Sequence, residues 1–154
     1  VLRIGRALLN QMIAHALAAA PEEACGILLG LRRGTQRDVL HAVPCRNVYE
    51  GSRHTRFLID PEQQLAVQRE APFQGLEIIG YYHSHPEGSA AFSDEDRRQA
   101  HPWVSNLVLA FRGGVFVEAR SWRVDPGGAC EEEPLAIPDV TNAAPPASST
   151  ADGC

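Results

Sequence analysis

A buried strand that runs directly into two histidines one residue apart limits what this chain can fold into. Leu76-Glu77-Ile78-Ile79-Gly80-Tyr81-Tyr82 has the apolar, β-branched and aromatic character of a strand inside a sheet, and His83-Ser84-His85-Pro86 follows without a break. Side chains alternate along a strand, so His83 and His85 share one face and Ser84 takes the other. Pro86 ends the strand because it has no N–H to give to a ladder. After a short Gly-containing loop, Ser93-Asp94-Glu95-Asp96-Arg97-Arg98-Gln99-Ala100 reads as a helix start, with Ser93 at the N-cap and acidic residues in the first turn. A side chain there leans back toward the helix N-terminus, so Asp96 can face the same point as the histidines. Two imidazoles and a carboxylate leave a tetrahedral ion one open position, as in a catalytic zinc site. Singly, these parts are a polar pair at a strand end and a capped helix. Together, in a chain with six histidines, they converge.

The rest of the composition narrows the class. With 154 residues the chain has one domain's worth of core. A formal charge of −5 argues against a nucleic-acid partner, which leaves a basic footprint. No apolar run reaches the length of a membrane span, and the Leu8-Leu9-Asn10-Gln11-Met12 stretch is amphipathic rather than a signal peptide. The expectation is a cytoplasmic protein with neither nucleic-acid nor membrane partners. Cys25, Cys45, Cys130 and Cys154 form no CxxC pair, so neither a disulfide framework nor a cysteine zinc site is expected. Cys25, in an apolar run, reads as a small buried hydrophobe.

Along the chain, Leu8, Leu9, Met12, Ile13 and Leu17 recur at helical intervals over 5–19. Cys25–Leu31 and Asp38–Val43 are predicted strands, the second closed by Pro44. Residues 45–55 read as irregular, Arg56–Ile59 as a short strand stopped by Asp60-Pro61, and 62–70 as a helix. The helix from Asp94 is expected to reach about His101. Gly113-Gly114 joins predicted strands Asn106–Phe111 and Val115–Val124 as a hairpin. Pro126-Gly127-Gly128 and Glu131-Glu132-Glu133 read as linker or surface, with a short strand at 135–137. This alternation predicts an α/β fold, a mixed β-sheet flanked by helices. Residues 1–137 are taken as the domain, and 138–154, poor in periodicity and rich in small residues and proline, as a disordered tail. That tail ends in Gly153-Cys154, which could visit an active site as a product-like end.

The string His83-x-His85-Pro86, a loop, then Ser93-x-x-Asp96 resembles the signature of the JAMM (MPN-plus) zinc metalloproteases. That family carries a glutamate shortly before a glycine and an apolar strand, and Pro21-Glu22-Glu23-Ala24-Cys25-Gly26-Ile27-Leu28-Leu29-Gly30 is similar. The family spacing, three residues before the glycine, selects Glu23 over Glu22. The resemblance covers about residues 1–125 and implies an α-β-α, cytidine-deaminase-like core. It implies one Zn2+ per chain held by His83, His85 and Asp96, with Glu23 as the proton acceptor for hydrolysis of a peptide or isopeptide bond. It also implies that Ser93 donates to the oxyanion. Ser84 is read as a hydrogen-bonding or core residue, Glu87 as lining the substrate loop, and His15, His41, His54 and His101 as structural or surface residues.

The length is close to the minimal family core, which resembles compact prokaryotic members. The partner so implied is a ubiquitin-like or sulfur-carrier protein, cut after its C-terminal Gly-Gly tail. Glycine lets a backbone approach a metal closely, and an extended tail can add to a sheet edge. The alternative is a catalytically silent MPN-type scaffold, disfavoured because the motif is complete. A zinc deaminase would need His-x-Glu and Pro-Cys-x-x-Cys, and His-Glu-x-x-His would mark the commonest zinc peptidases; none of these strings occurs.

Overall fold

The computed structural model describes residues 1–138. Elements follow in the order β1 (Leu2–Ile4), α1 (Arg6–Ala19), β2 (Cys25–Arg33), β3 (Gln36–Cys45), α2 (Pro61–Glu70), β4 (Glu77–His85), α3 (Asp94–Gln99), β5 (Ser105–Arg112), β6 (Val115–Val124), β7 (Cys130–Glu133) and β8 (Leu135–Ala136). The strands form one mixed sheet in the order β7-β6-β5-β4-β2-β3-β1-β8. β4 runs parallel to β5 and antiparallel to β2. The sheet with flanking helices is the predicted α/β class. None of the described helices is long and apolar enough to cross a membrane.

Period-two alternation sorts the sheet's two faces. On one face Leu107, Leu109 and Phe111 of β5 and Tyr82 of β4 pack with Leu9, Met12 and Ala16 of α1. On the other, Cys25, Ile27 and Leu29 of β2 meet Ala71 and Val67 beside α2. β5 is buried along nearly its whole length, as a strand covered on both sides must be. Gly26 of β2 is dictated by packing: a Cβ there would lie 2.2 Å from the Tyr82 ring directly opposite. The Tyr82 hydroxyl lies 2.8 Å from Nδ1 of His15 on α1.

Four expectations need correction. The segment predicted as strand Arg56–Ile59 makes only a bridge between Asn47 and Ile59, because the N–H of Leu58 goes to the Asn47 side chain. Pro44 does not end β3, which continues to Cys45. Of β3, only Arg37–Val39 pair with β1, so β3 is an edge at Pro44 and the missing N–H removes no ladder bond. Helix α3 stops at Gln99, with Ala100 extended, since Pro102 disfavours helical geometry at the residue before it. Finally, residues 130–133 are not linker but β7, and Glu133 is buried.

β7 forms one end of the sheet. β7 and β8 stand at opposite extremes of the strand order, yet only Pro134 separates them in sequence. The Leu2 N–H donates to the Pro134 carbonyl at 2.9 Å. The sheet is therefore coiled until its two ends meet. At that corner the Glu133 carboxylate accepts from Arg37 Nη1 (3.2 Å), Ser105 Oγ (2.7 Å) and Ser121 Oγ (2.9 Å). Arg37 also donates to the Trp103 carbonyl at 2.9 Å.

Candidate metal centre

Strand alternation puts Tyr81, His83 and His85 of β4 on one face and Tyr82 and Ser84 on the other. Ser84 does not enter the site; its Oγ accepts from the Ala24 N–H at 2.8 Å and its own N–H donates to the Ala24 carbonyl at 3.0 Å. The same face of β5 carries Val108, paired with His83, and Ala110, paired with His85. Both are fully buried, so the histidines sit on a dry floor.

The loop after Pro86 is anchored to the β5–β6 hairpin. Glu87 accepts from the Gly113 N–H at 2.7 Å, so its carboxylate fastens the loop. The Trp122 indole donates to the Ala90 carbonyl at 2.9 Å. Ser93 then caps α3: its Oγ accepts from the Asp96 N–H at 2.9 Å, while Asp96 Oδ2 accepts from the Ser93 N–H at 3.1 Å. This reciprocal box fixes the Asp96 side chain toward the histidines.

Three side chains meet there. His83 Nε2 and His85 Nε2 are 3.2 Å apart, and each lies 3.1 Å from an Asp96 carboxylate oxygen. His85 Nδ1 donates to the Ser89 carbonyl at 2.7 Å, and since a carbonyl only accepts, the neutral ring presents a lone pair at Nε2. The set could hold a metal ion. Bonds of about 2.0–2.1 Å in a regular tetrahedron require donors about 3.3–3.4 Å apart, close to the 3.2 Å between the two imidazole nitrogens. Phe57 stacks on the His83 ring at 4.6 Å between centroids, and a cavity of about 80 Å³ opens beside it, lined by Phe57, Tyr81, Phe92 and His101.

Electrostatics follow burial and pairing. Enclosure pushes His83 below its ordinary pKa. Burial also opposes charge on His85, but hydrogen bonds to Asp96 and Ser89 carry it above the ordinary value. Burial works against the Asp96 charge too, yet its bonds with the two imidazoles hold it well below the usual carboxylate range. Glu23, immediately before β2, is buried; desolvation raises its carboxyl to about 8, with His85 and Asp96 near enough to act on it. Its Oε1 has no hydrogen-bond partner. An unpartnered buried carboxyl beside a compact donor cluster is an expensive arrangement for a merely structural residue.

The raised carboxyl has a measurable consequence. Between pH 4.5 and about 8 the folded state keeps a proton on Glu23 that the unfolded chain has lost, so this group's contribution to stability falls as pH rises through that window. In protein stripped of metal, Glu23→Gln should raise the melting temperature more at pH 8.5 than at pH 5. Equal shifts at both pH values would contradict the buried, unpaired carboxyl.

A family model for prokaryotic homologues of the JAB domain matches residues 5–125. The chain belongs to that family. Among relatives of this JAB domain, the probable TtuB-protein conjugate cleaving protease of Thermus thermophilus is 36% identical over 115 residues, covering 75% of this chain and 73% of the relative. The desampylase of Haloferax volcanii is 30% identical over 120 residues, covering 75% and 84%. The CysO-cysteine peptidase of Mycobacterium tuberculosis is 33% identical over 138 residues, covering 89% and 91%. A solution structure from Desulfitobacterium hafniense matches with a TM-score of 0.79 and 30% identity, over 90% of this chain and 94% of its own. A JAB1/MPN domain protein from Archaeoglobus fulgidus shares the fold, with a TM-score of 0.53 and 20% identity, over 88% of this chain and 97% of its own.

Within the JAB domain the structure brings His83, His85 and Asp96 together, with Ser93 beside them and Glu23 close by. His15 lies with Tyr82 away from the donor cluster, and His41 and His54 are exposed. His101 stacks on Tyr81 at 4.6 Å and lines the cavity, a placement its lone spacing gave no sign of. Asn47, also unmarked in sequence beyond lying in a polar loop, donates to the Glu23 carbonyl at 3.0 Å. The Gly153-Cys154 end lies outside the described residues.

Proposed function

We propose that this JAB domain, residues 1–137, is a zinc-dependent peptidase or isopeptidase that cuts the bond after the Gly-Gly tail of a ubiquitin-like or sulfur-carrier protein. The observation that carries the reading is a buried carboxyl, its Oε1 without a hydrogen-bond partner, beside the His83, His85 and Asp96 donor group. His83, His85 and Asp96 would hold the ion. When bound, zinc supplies Lewis-acid chemistry, bringing a water's pKa from 15.7 down to about 7 and polarising a carbonyl.

The chain's own groups supply the rest. Glu23 takes a proton from the attacking water and returns it to the leaving nitrogen. Its raised pKa suits an acceptor that must also donate near neutrality. The Ser93 oxygen already accepts the Asp96 N–H, which leaves its O–H proton to donate to the carbonyl oxygen as negative charge builds there. The buried floor under His83 and His85 keeps bulk water from weakening both interactions. The carrier-protein partner draws support from the relatives' names, one a TtuB-protein conjugate cleaving protease and one a CysO-cysteine peptidase.

The test is metal analysis combined with fusions of ubiquitin-like sulfur carriers ending in Gly-Gly-X, read by mass spectrometry of the released group. The expected result is one zinc per chain, cleavage after the second glycine, loss of cleavage on chelation, and recovery on zinc addition. One zinc per chain with no fusion cut would favour the silent scaffold. Cleavage that survives full chelation would end the metallopeptidase reading.

A further inference from the structure

Glu23 precedes β2, which begins at Cys25, so no sheet ladder holds its backbone. Its N–H donates to the Arg53 carbonyl at 2.7 Å, and its carbonyl accepts from Asn47 Nδ2 at 3.0 Å. Both partners lie in one loop, residues 46–60, between β3 and α2. Oε1 at the tip of the side chain has no partner, so the backbone anchorage decides where the carboxyl points.

Asn47 also closes that loop on itself. The second Nδ2 hydrogen goes to the Arg56 carbonyl at 3.1 Å, and Oδ1 accepts from the Tyr49 and Leu58 N–H groups, both at 3.1 Å. A side-chain amide has two donors and two acceptor sites, and all four are engaged. The closed loop carries Phe57, which stacks on His83, and Arg56, which pairs with Glu95 of α3 at 3.1 Å. One amide therefore links the backbone of Glu23 to the loop that packs against the donor cluster.

We propose that Asn47 is the positioning residue of Glu23, setting the carboxyl in register with the His83–His85–Asp96 group through the 46–60 loop. The inference rests on the reading of Glu23 as the proton acceptor. Only an amide of this length serves. Aspartate would turn an oxygen toward the carbonyls of Glu23 and Arg56, where both present donors are needed, and serine is too short to span them.

The decisive comparison uses the zinc-loaded full chain on a Gly-Gly-X carrier fusion, with Asn47→Asp, Glu23→Gln and the double variant. Asn47→Asp is expected to lower kcat about 10- to 100-fold with KM nearly unchanged, as for loss of a supporting hydrogen bond behind a reacting group. Zinc content should stay at one per chain. In the Glu23→Gln background the same change should cost nothing further, because the route of its effect is already gone. Should the aspartate variant lack a cooperative melting transition, Asn47→Ser removes the Glu23 bond without adding charge and should show the same loss. Wild-type kcat in Asn47→Asp or Asn47→Ser beside a Glu23→Gln slowed about 100-fold or more overturns the inference alone, as does an equal loss in both backgrounds. An active Glu23→Gln overturns the proton-acceptor reading itself, and the inference with it.

Discussion

Glu23→Gln should lower kcat by about 10²- to 10⁴-fold while the protein still binds one zinc. Glutamine keeps the shape and the backbone bonds to Arg53 and Asn47, so the loop geometry should survive. What disappears is the ability to accept a proton and give it back. The carboxyl makes no hydrogen bond through Oε1, so the substitution breaks no structural contact there. Loss of turnover with intact fold and metal would therefore isolate the proton-transfer role. Steady-state kinetics on the carrier fusion, with zinc content measured on the same preparation, decide it. A Glu23→Gln enzyme within a fewfold of wild type would remove Glu23 from the chemistry.

Arg37→Met should be strongly destabilising although it lies away from the site. Glu133 is 4% exposed and Arg37 6%, and the guanidinium is the only side-chain cation that the described hydrogen bonds bring to that carboxylate. Methionine would leave Glu133 with the Ser105 and Ser121 hydroxyls and only the half-exposed Val1 ammonium, 3.6 Å away, to oppose its charge. Breaking one partner of a buried pair costs about 3–5 kcal/mol, equivalent to roughly 6–20 °C in melting temperature at this size. Replacing both, as Arg37→Met with Glu133→Leu, should restore much of the loss because no buried charge remains. The restoration will be incomplete, since the two serine hydroxyls lose their acceptor. Thermal melts of the three variants check this; a single variant melting within 2 °C of wild type, about 1 kcal/mol or less, would show the pair to be dispensable.

How much could be read in advance depended on sequence distance. His83, His85, Ser93 and Asp96 fall on one strand, loop and capped helix, and two local periodicities suffice to bring them to a point. Glu23 is different. It reaches the site because Cys25 pairs with His83 across β2 and β4, a register set by antiparallel pairing between distant segments. Spacing carries no record of that register, and only the family resemblance singled the residue out. Asn47 was invisible for a related reason: a single polar residue in a polar loop gives no period to read. Glu133 was misread because Glu131-Glu132-Glu133 has the composition of a solvated acidic run. Only the pairing of Ser121 with Glu133 turns the last of them inward.

The single-residue join at Pro134 also bears on how the chain reaches its native state. β1, near the start, is flanked on one side by β3 and on the other by β8, at the far end of the described residues. During synthesis the first strand therefore emerges long before one of its neighbours exists. Contacts between such remote segments raise the contact order, which slows folding. Until the ribosome releases β8, the outer edge of β1 presents unpaired backbone groups, and the Arg37 guanidinium waits without Glu133. The closure that completes the sheet therefore cannot form before β8 has been made, and until then one edge of β1 has no strand beside it.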